Sequence, residues 1–569
     1  MLAFYRMFLL KRLRDFIFSR QSDILSAAVV LGASTLASMF LGLIRDRSLA
    51  QFFTPDQIAI YFGAFRIPET FFEILIFSSL SSAFIPTFIS YIAVKKEKEA
   101  WHIASTLINL ALWAFTCLAL LIAAFAKPIS ALIAPGFSPS DVILMAQLTR
   151  ILLLAQAFFV VSFFLTGVLK SFQHFLIPAI APIFYNLGII GATIFLSGRL
   201  GIYAPAIGAV IGAFLHLLVQ VPLARQLGFR PHLSFETNHP GVQKVIKLAL
   251  PRFVELIFIQ ILKASDLFFS SLINTAAYSY LTFATHLEMV PVSLFGFSLA
   301  DAALPTLAYK KDNPKEFSKV FFAVFRQIVF FALPIAAAFI VLRIPLTRLA
   351  FGSDRFTWEA TILTAYTLSF FAVGIIGQVL TFYFVRAFYA FQDTATPVKV
   401  AIVNIILDIA LGAYFIMVLK LPVWALGLSS SLTNLTQAFA LFLILSKRRK
   451  LPVWEFIAPT FKVALAALGS ASVMYVILKV LDRSAWDPQV SFLGRFALPA
   501  EWPSFILDTS YTVNLIILTF EVLLVGALVY LLLCRILKVG ELQVLPQIWR
   551  RIISPRRTKV PASVQNGRE

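Results

Sequence analysis

Arg45, Asp46 and Arg47 stand side by side in a largely apolar stretch, Gly32 to Tyr91, and Arg66, Pro68 and Glu73 follow within it. Arginine holds phosphate or carboxylate oxygens through paired, forked donors. Arginines set among apolar residues therefore suit the capture of an anionic group, a phosphate above all. The plainer alternative is an ion pair with Asp46 at a helix end. Arg66 and Glu73 lie two helical turns apart and can share a face. Pro68 between them removes a backbone donor and supplies a bend that a gate can use.

Further ionisable groups recur along the chain. Arg252 and Glu255 have the three-residue spacing of a helical ion pair, and Lys263 and Asp266 repeat it. Either pair can also line a cavity. His286 and Glu288 bracket Leu287, so they face different ways on a helix. As a residue type, histidine changes charge near neutrality, which would let it bind and release a phosphate where arginine could only bind. A satisfied structural histidine is the alternative. Asp408 has no charged neighbour in its own segment, which leaves a partner on another helix or a coupling cation. Asp266 is the second candidate for such ion coupling. Arg386, Asp393 and Lys399 flank a turn, where salt bridges would form an inner gate or simply order a loop.

These groups need elements to hold them. The chain has 569 residues, 60% hydrophobic and only 13% charged, with a mean hydropathy of +0.87. That composition excludes a soluble enzyme of this size and implies a polytopic membrane protein. An ionisable side chain in a membrane must face protein or a watery cavity, so the charges above read as a transport pathway. The net charge of +20 lies mostly in short loops and tails, which is a topology signal and not a nucleic-acid groove. No Gly-rich phosphate loop, metal cluster or nucleophile–base set is present, so no enzyme activity, cofactor or metal is expected. The two cysteines imply no disulfide framework.

Apolar runs of about 20 residues repeat about fourteen times. The first is expected over Ile24–Leu43 and the second over Ala59–Ala83, with a charged turn at Arg45–Arg47 between them. The seventh is expected over Val242–Leu262, with Lys263 and Asp266 at its outer end. The basic runs Lys95–Lys98, Lys310–Lys319 and Lys447–Lys450 fall on one side, which by the positive-inside rule puts both termini in the cytoplasm. A weak repeat links Ser82-Ala83-Phe84-Ile85-Pro86-Thr87 to Asp301-Ala302-Ala303-Leu304-Pro305-Thr306, six spans later. The expected fold class is an all-α polytopic membrane protein: two parallel six-helix lobes plus two C-terminal helices. Its divisions are a basic amphipathic arm (1–23), a first lobe (24–230), a second lobe (231–450), a terminal helix pair with its external loop 482–509 (451–540) and a basic cytoplasmic tail (541–569). The arm is not read as a cleavable signal.

The segments Leu43-Ile44-Arg45-Asp46, Ala64-Phe65-Arg66-Ile67-Pro68, Leu165-Thr166-Gly167-Val168-Leu169 and above all Arg386 to Pro397, RAFYAFQDTATP, resemble the MurJ/MviN family of lipid II flippases. The resemblance runs from about Ile24 to Tyr530 and implies fourteen helices, a cationic central cavity and a lipid-facing groove at the last two. It also implies a bacterial inner-membrane protein that flips an undecaprenyl-diphosphate-linked glycan by alternating access. Its driving force would be the membrane potential or a monovalent ion, and its surroundings membrane lipids and cell-wall synthesis proteins. A monomer is expected. Where well-studied members carry an arginine, this chain has Met39 and His286. Ala59 replaces an aspartate, Phe72-Glu73 an arginine pair, and Phe77-Ser78-Ser79 a Glu-Gly-Ala. Those departures keep three alternatives open: a flippase for another polyprenyl-linked glycan, a cation-coupled exporter, or a transport-inactive scaffold.

Overall fold

The computed structural model describes residues 24–74, 83–452, 454–482, 507–509, 511–543 and 546, and within these it leaves aside the side chains of 24–31, 250–255, 297, 455 and 456. The arm 1–23, the Phe77-Ser78-Ser79 segment, most of the loop 482–509 and of the tail 541–569, and the side chains of Arg252 and Glu255 lie outside the described residues.

The described chain is helical and contains no β-strand beyond one isolated bridge, Asp482 to Leu507. In order the helices are α1 Ile24–Phe52, α2 Pro55–Phe72, α3 Ile85–Ala93, α4 Glu97–Ala124, α5 Ala126–Ile133, α6 Pro139–Ser171, α7 Leu176–Leu200, α8 Tyr203–Leu218, α9 Val221–Gln226, α10 Pro240–Ile273 and α11 Ala277–Pro291. A π-helical turn at Val292–Phe297 leads to α12 Ser298–Lys310, α13 Pro314–Val341, α14 Arg343–Phe351, α15 Trp358–Ala390, α16 Ala395–Ala413, α17 Trp424–Arg449, α18 Trp454–Leu481 and α19 Thr512–Ile536. Twelve helices among the described residues are long and apolar enough to cross a membrane. α1, at 29 residues, spans about 43 Å and also suffices in length. α2 carries Asp56, Arg66 and Glu69 in 18 residues. Together they account for the about fourteen spans expected.

Two expected boundaries move. No turn forms at Arg45–Arg47: α1 continues to Phe52, and the chain turns at Phe53 and Thr54. The charges do not end the helix because Asp46 is buried and paired, as described below. The turn comes where capping chemistry permits it. The Thr54 side chain accepts from the Gln57 N–H, the Gln57 side chain accepts from the Thr54 N–H, and Pro55 needs no donor at the first position. Likewise α10 runs 11 residues past its expected end, to Ile273, so Lys263 and Asp266 lie within the helix.

By contact the chain divides into two compact units: residues up to 290 with 343–374 and 395–437, and residues 291–342 with 375–394 and 438–569. In the first unit α7 and α8 pack with their backbones almost touching. A Cβ on Gly188 would fall 2.5 Å from the Gly212 Cα, and one on Gly212 would fall 2.5 Å from the Tyr185 carbonyl oxygen. Apolar solvent provides no drive to bring helices together, so glycine-mediated close packing must. It fixes Tyr185 on the side of α7 used below.

Pro68 sits inside α2 and leaves the Ala64 carbonyl without its helical donor. The Thr149 hydroxyl of α6 takes that carbonyl at 3.3 Å while also bonding the Met145 carbonyl at 2.8 Å. The bend is thus satisfied from a neighbouring helix, as a proline at membrane depth requires. In the second unit the Tyr530 hydroxyl of α19 donates to the Phe330 carbonyl of α13 at 2.7 Å, and Ser470 of α18 donates to the Gly526 carbonyl at 2.7 Å.

Candidate functional site

Helices α1, α2, α6, α7, α8 and α11 of the first unit surround a cavity of about 420 Å³. Its charged lining is Arg45, Arg66, Glu69, Glu73 and His286, and its aromatic lining includes Tyr61, Phe62, Phe65, Tyr185 and Tyr278. Edge-on contacts of Phe62 with Phe283 and with His286 lock this wall.

Asp46 is the buried centre of the charge arrangement, 1% exposed. Its Oδ1 accepts from Arg45 Nε at 2.9 Å and Nη2 at 2.8 Å, while His286 Nδ1 lies 2.7 Å from its Oδ2. Arg45 Nη1 also donates to Asn186 Oδ1 at 3.3 Å. Asn186 is held in turn, its amide donating to the Ser38 and Pro182 carbonyls. One carboxylate therefore ties α1 to α11, and its arginine ties α1 to α7.

A second set follows along α2. Arg66 donates to the Tyr278 hydroxyl from Nε and Nη2 at 3.3 Å, and its Nη1 lies 3.2 Å from Glu69 Oε2. Glu73 accepts from the Gln260 amide and from Lys263 Nζ at 3.1 and 3.2 Å. Each described cation at the cavity thus already faces a carboxylate: Arg45 with Asp46, Arg66 with Glu69, Lys263 with Glu73. The arrangement suits anion exchange. An incoming phosphate could take arginines over from internal carboxylates, and no charge would be left bare beforehand.

Behind the lining, Ser162 Oγ and His216 Nδ1 are 2.6 Å apart, Gln220 donates to Ser162 Oγ at 2.7 Å, and Thr166 donates to Gln220 Oε1 at 2.9 Å. This polar ladder satisfies the buried His216 on the cavity wall. Asp408 of α16 accepts from the Ser429 hydroxyl of α17. Asp266 of α10 lies within electrostatic reach of Asp408, Arg66 and Lys263. Two carboxylates from different helices thus share one neighbourhood. Among the described residues no group of three or more His, Cys, Asp or Glu side chains is arranged to hold a metal ion. In the second unit Arg386 Nε meets Asp301 Oδ1 at 2.6 Å, and Arg448 Nη1 meets Asp393 Oδ2 at 2.6 Å.

Of the residues singled out in the sequence, Arg45, Arg66, Glu73 and His286 line the cavity, and Asp46 lies directly behind it. Arg47 does not. It donates to the Leu349 carbonyl at 2.6 Å, a cation closing the C-terminal end of α14. Glu288 is 3% exposed and absent from the lining, and its Oε1 has no hydrogen-bond partner among the described residues. Lys263 makes its salt bridge, at 3.1 Å, to Glu73 just past the end of α2 and not to Asp266 three residues along its own helix. Met39 and Ala59 also lie off the lining, whereas Glu73 and His286 lie on it. Glu69, Gln260, Asn186, Tyr185 and Tyr278 were not singled out. The i,i+3 spacing of Arg66 and Glu69 was the available signal for the first of these.

Residues 49–496 match the family model described as lipid II flippase MurJ. Among curated relatives, a probable lipid II flippase MurJ of Buchnera aphidicola subsp. Acyrthosiphon pisum is 27% identical over 481 residues, covering 82% of this chain and 92% of the relative. The lipid II flippase MurJ of Burkholderia cenocepacia is 26% identical over 391 residues, covering 67% and 76%. Among solved structures, a lipid II flippase MurJ in an inward closed conformation superimposes with a TM-score of 0.72 at 23% identity, covering 89% of this chain and 98% of that one. An inward-facing multidrug transporter of the MATE family, in the MOP superfamily, follows with a TM-score of 0.61 at 14% identity, covering 74% and 98%. At these identities the structural likenesses establish the fold.

Proposed function

Because this chain belongs to the lipid II flippase MurJ family, we propose that it moves lipid II, the undecaprenyl-diphosphate-linked peptidoglycan precursor, from the inner to the outer leaflet of the bacterial inner membrane. The observation that carries this reading is the buried Asp46 shared between Arg45 and His286 at the wall of a cavity within the membrane helices. The diphosphate competes with Asp46 for Arg45 and with Glu69 for Arg66. Asp46 keeps His286 when Arg45 is taken, so no buried carboxylate is stranded. Tyr185, Tyr278 and Gln156 offer polar edges to the glycan, and the polyprenyl tail stays in hydrocarbon. A cavity of 420 Å³ is smaller than the glycan and diphosphate together, so transport requires it to widen.

Alternating access supplies that widening. The cavity draws Arg45 to Glu73 from the first six-helix lobe and Tyr278 to His286 from the second, so rocking the lobes opens it. Pro68 gives α2 its bend, while the Arg386–Asp301 and Asp393–Arg448 pairs, both inside the second lobe, order the turn that Arg386, Asp393 and Lys399 flank. Coupling runs to the membrane potential or to a monovalent cation near Asp266 and Asp408, two carboxylates within electrostatic reach of each other. The chain works as a monomer with both termini in the cytoplasm, near the cell-wall synthesis proteins that use its product. No covalent step is involved.

A second reading, transport of another polyprenyl-linked glycan, draws on Glu73 and His286, which stand in the cavity where the resemblance implies arginine. Complementation in cells depleted of their own lipid II flippase separates the two. Rescue by the wild type, lost in a normally expressed Arg45→Ala variant, supports lipid II. Failure of a well-expressed wild type to rescue supports the other cargo.

A further inference from the structure

The second unit contains a cavity of its own, about 620 Å³. Lys311 lies in the turn before α13. Lys315, Lys319 and Arg326 follow on α13 at spacings of four and seven, so they share a face. The end of α17 brings Arg448, Arg449 and Lys450 to the same cavity. No Asp or Glu is in the lining. Arg326 reaches Glu541 at 2.8 Å and Arg448 reaches Asp393 at 2.6 Å, while the other five cations have no carboxylate partner among the described residues. Phe317 and Phe322 form a buried apolar floor, and the Arg449 guanidinium centres 3.5 Å above the Phe391 ring.

We infer that this cavity is a binding site for a phosphate-bearing anion, distinct from the transport cavity. Basic residues at helix ends serve topology wherever they lie open to solvent. Here they converge on one concave space of ligand size, where an anion with several oxygens would engage several of them at once. A forked guanidinium fixed on a ring and flexible lysines opposite it match a diphosphate or the headgroup of an anionic phospholipid. The two sources share one chemistry, and the helix ends place the site at the depth where headgroups lie.

The test uses the full chain in lipid nanodiscs of phosphatidylcholine alone, or with about 25 mol% phosphatidylglycerol. Inorganic pyrophosphate is titrated by calorimetry, and retained lipid is read by native mass spectrometry. The variant Lys315→Gln/Lys319→Gln/Arg449→Gln binds pyrophosphate at least about tenfold more weakly than wild type, or retains less phosphatidylglycerol. A control, Lys95→Gln/Lys96→Gln/Lys98→Gln, removes equal charge elsewhere and binds as wild type. If phosphatidylglycerol weakens pyrophosphate binding to wild type, the headgroup is the natural occupant. Unchanged affinity identifies the soluble anion. The site is refuted if wild type and triple variant match in both readouts, or if the control loses as much. A thermal melt of the triple variant within a few degrees of wild type excludes misfolding as the cause.

Discussion

Removing Asp46 is the perturbation that the charge arrangement makes most informative. Asp46 is 1% exposed, Arg45 is one-fifth exposed, and they share two short contacts of 2.8 and 2.9 Å. Breaking a buried ion pair by deleting one partner costs about 3–5 kcal/mol, because the other charge is left without compensation. Partial exposure of Arg45 puts Asp46→Ala at the low end, about 3 kcal/mol. Arg45→Ala costs less, about 2 kcal/mol, because Asp46 retains His286 at 2.7 Å. The double variant removes both charges and should cost about as much as Asp46→Ala alone, a coupling of about 2 kcal/mol. Neutral interhelical hydrogen bonds in membranes couple by only about 0.6 kcal/mol, so the value separates a charge pair from an ordinary polar contact. The assay is denaturant unfolding of purified protein in micelles, followed by tryptophan fluorescence. If the single losses add to the double within about 0.5 kcal/mol, Asp46 does not hold Arg45 and the exchange mechanism loses its basis.

Three further outcomes follow from the geometry. Thr149→Val strands the Ala64 carbonyl that Pro68 leaves free and should cost about 1–2 kcal/mol in the same unfolding assay, whereas adding Pro68→Ala restores a helical donor and recovers much of the loss. Glu73→Lys and Lys263→Glu each set like charges about 3 Å apart and should lower transport in cells, and the double swap should restore it; failure of the swap would show that the pair's polarity, and not its neutrality, matters. Asp408→Asn removes one of the two carboxylates within electrostatic reach of each other and should abolish any dependence of transport on monovalent cations in liposomes while leaving pyrophosphate binding at the second cavity unchanged.

Much of the fold was legible because the length of an apolar run answers to the bilayer alone. The charges most useful for function were legible one helix at a time. Arg45, Arg66, Glu73 and His286 stood out because hydrocarbon makes any ionisable group conspicuous. Their partners did not, since Asp46 meets His286 across 240 residues and Glu73 meets Lys263 across 190. Local spacing suggested a Lys263–Asp266 pair, and interhelical packing overrode it. The same cause misled the boundary at Arg45–Arg47. Three adjacent charges read as a turn until Asp46 is seen to be held by Arg45 on one side and His286 on the other, and Arg47 to be spent on the Leu349 carbonyl. Glu288 was conspicuous for the same reason, an ionisable group within a span, and it lies buried off the lining that His286 joins.

Transport through the Arg45 cavity is measured by the movement of purified, labelled lipid II across liposomes containing the wild-type chain, beside liposomes containing Arg45→Ala at equal density. Lipid II should accumulate in the far leaflet with wild type, and with Arg45→Ala should move little more than in empty liposomes. Equal movement by both would contradict this, and so would wild-type movement no faster than empty liposomes.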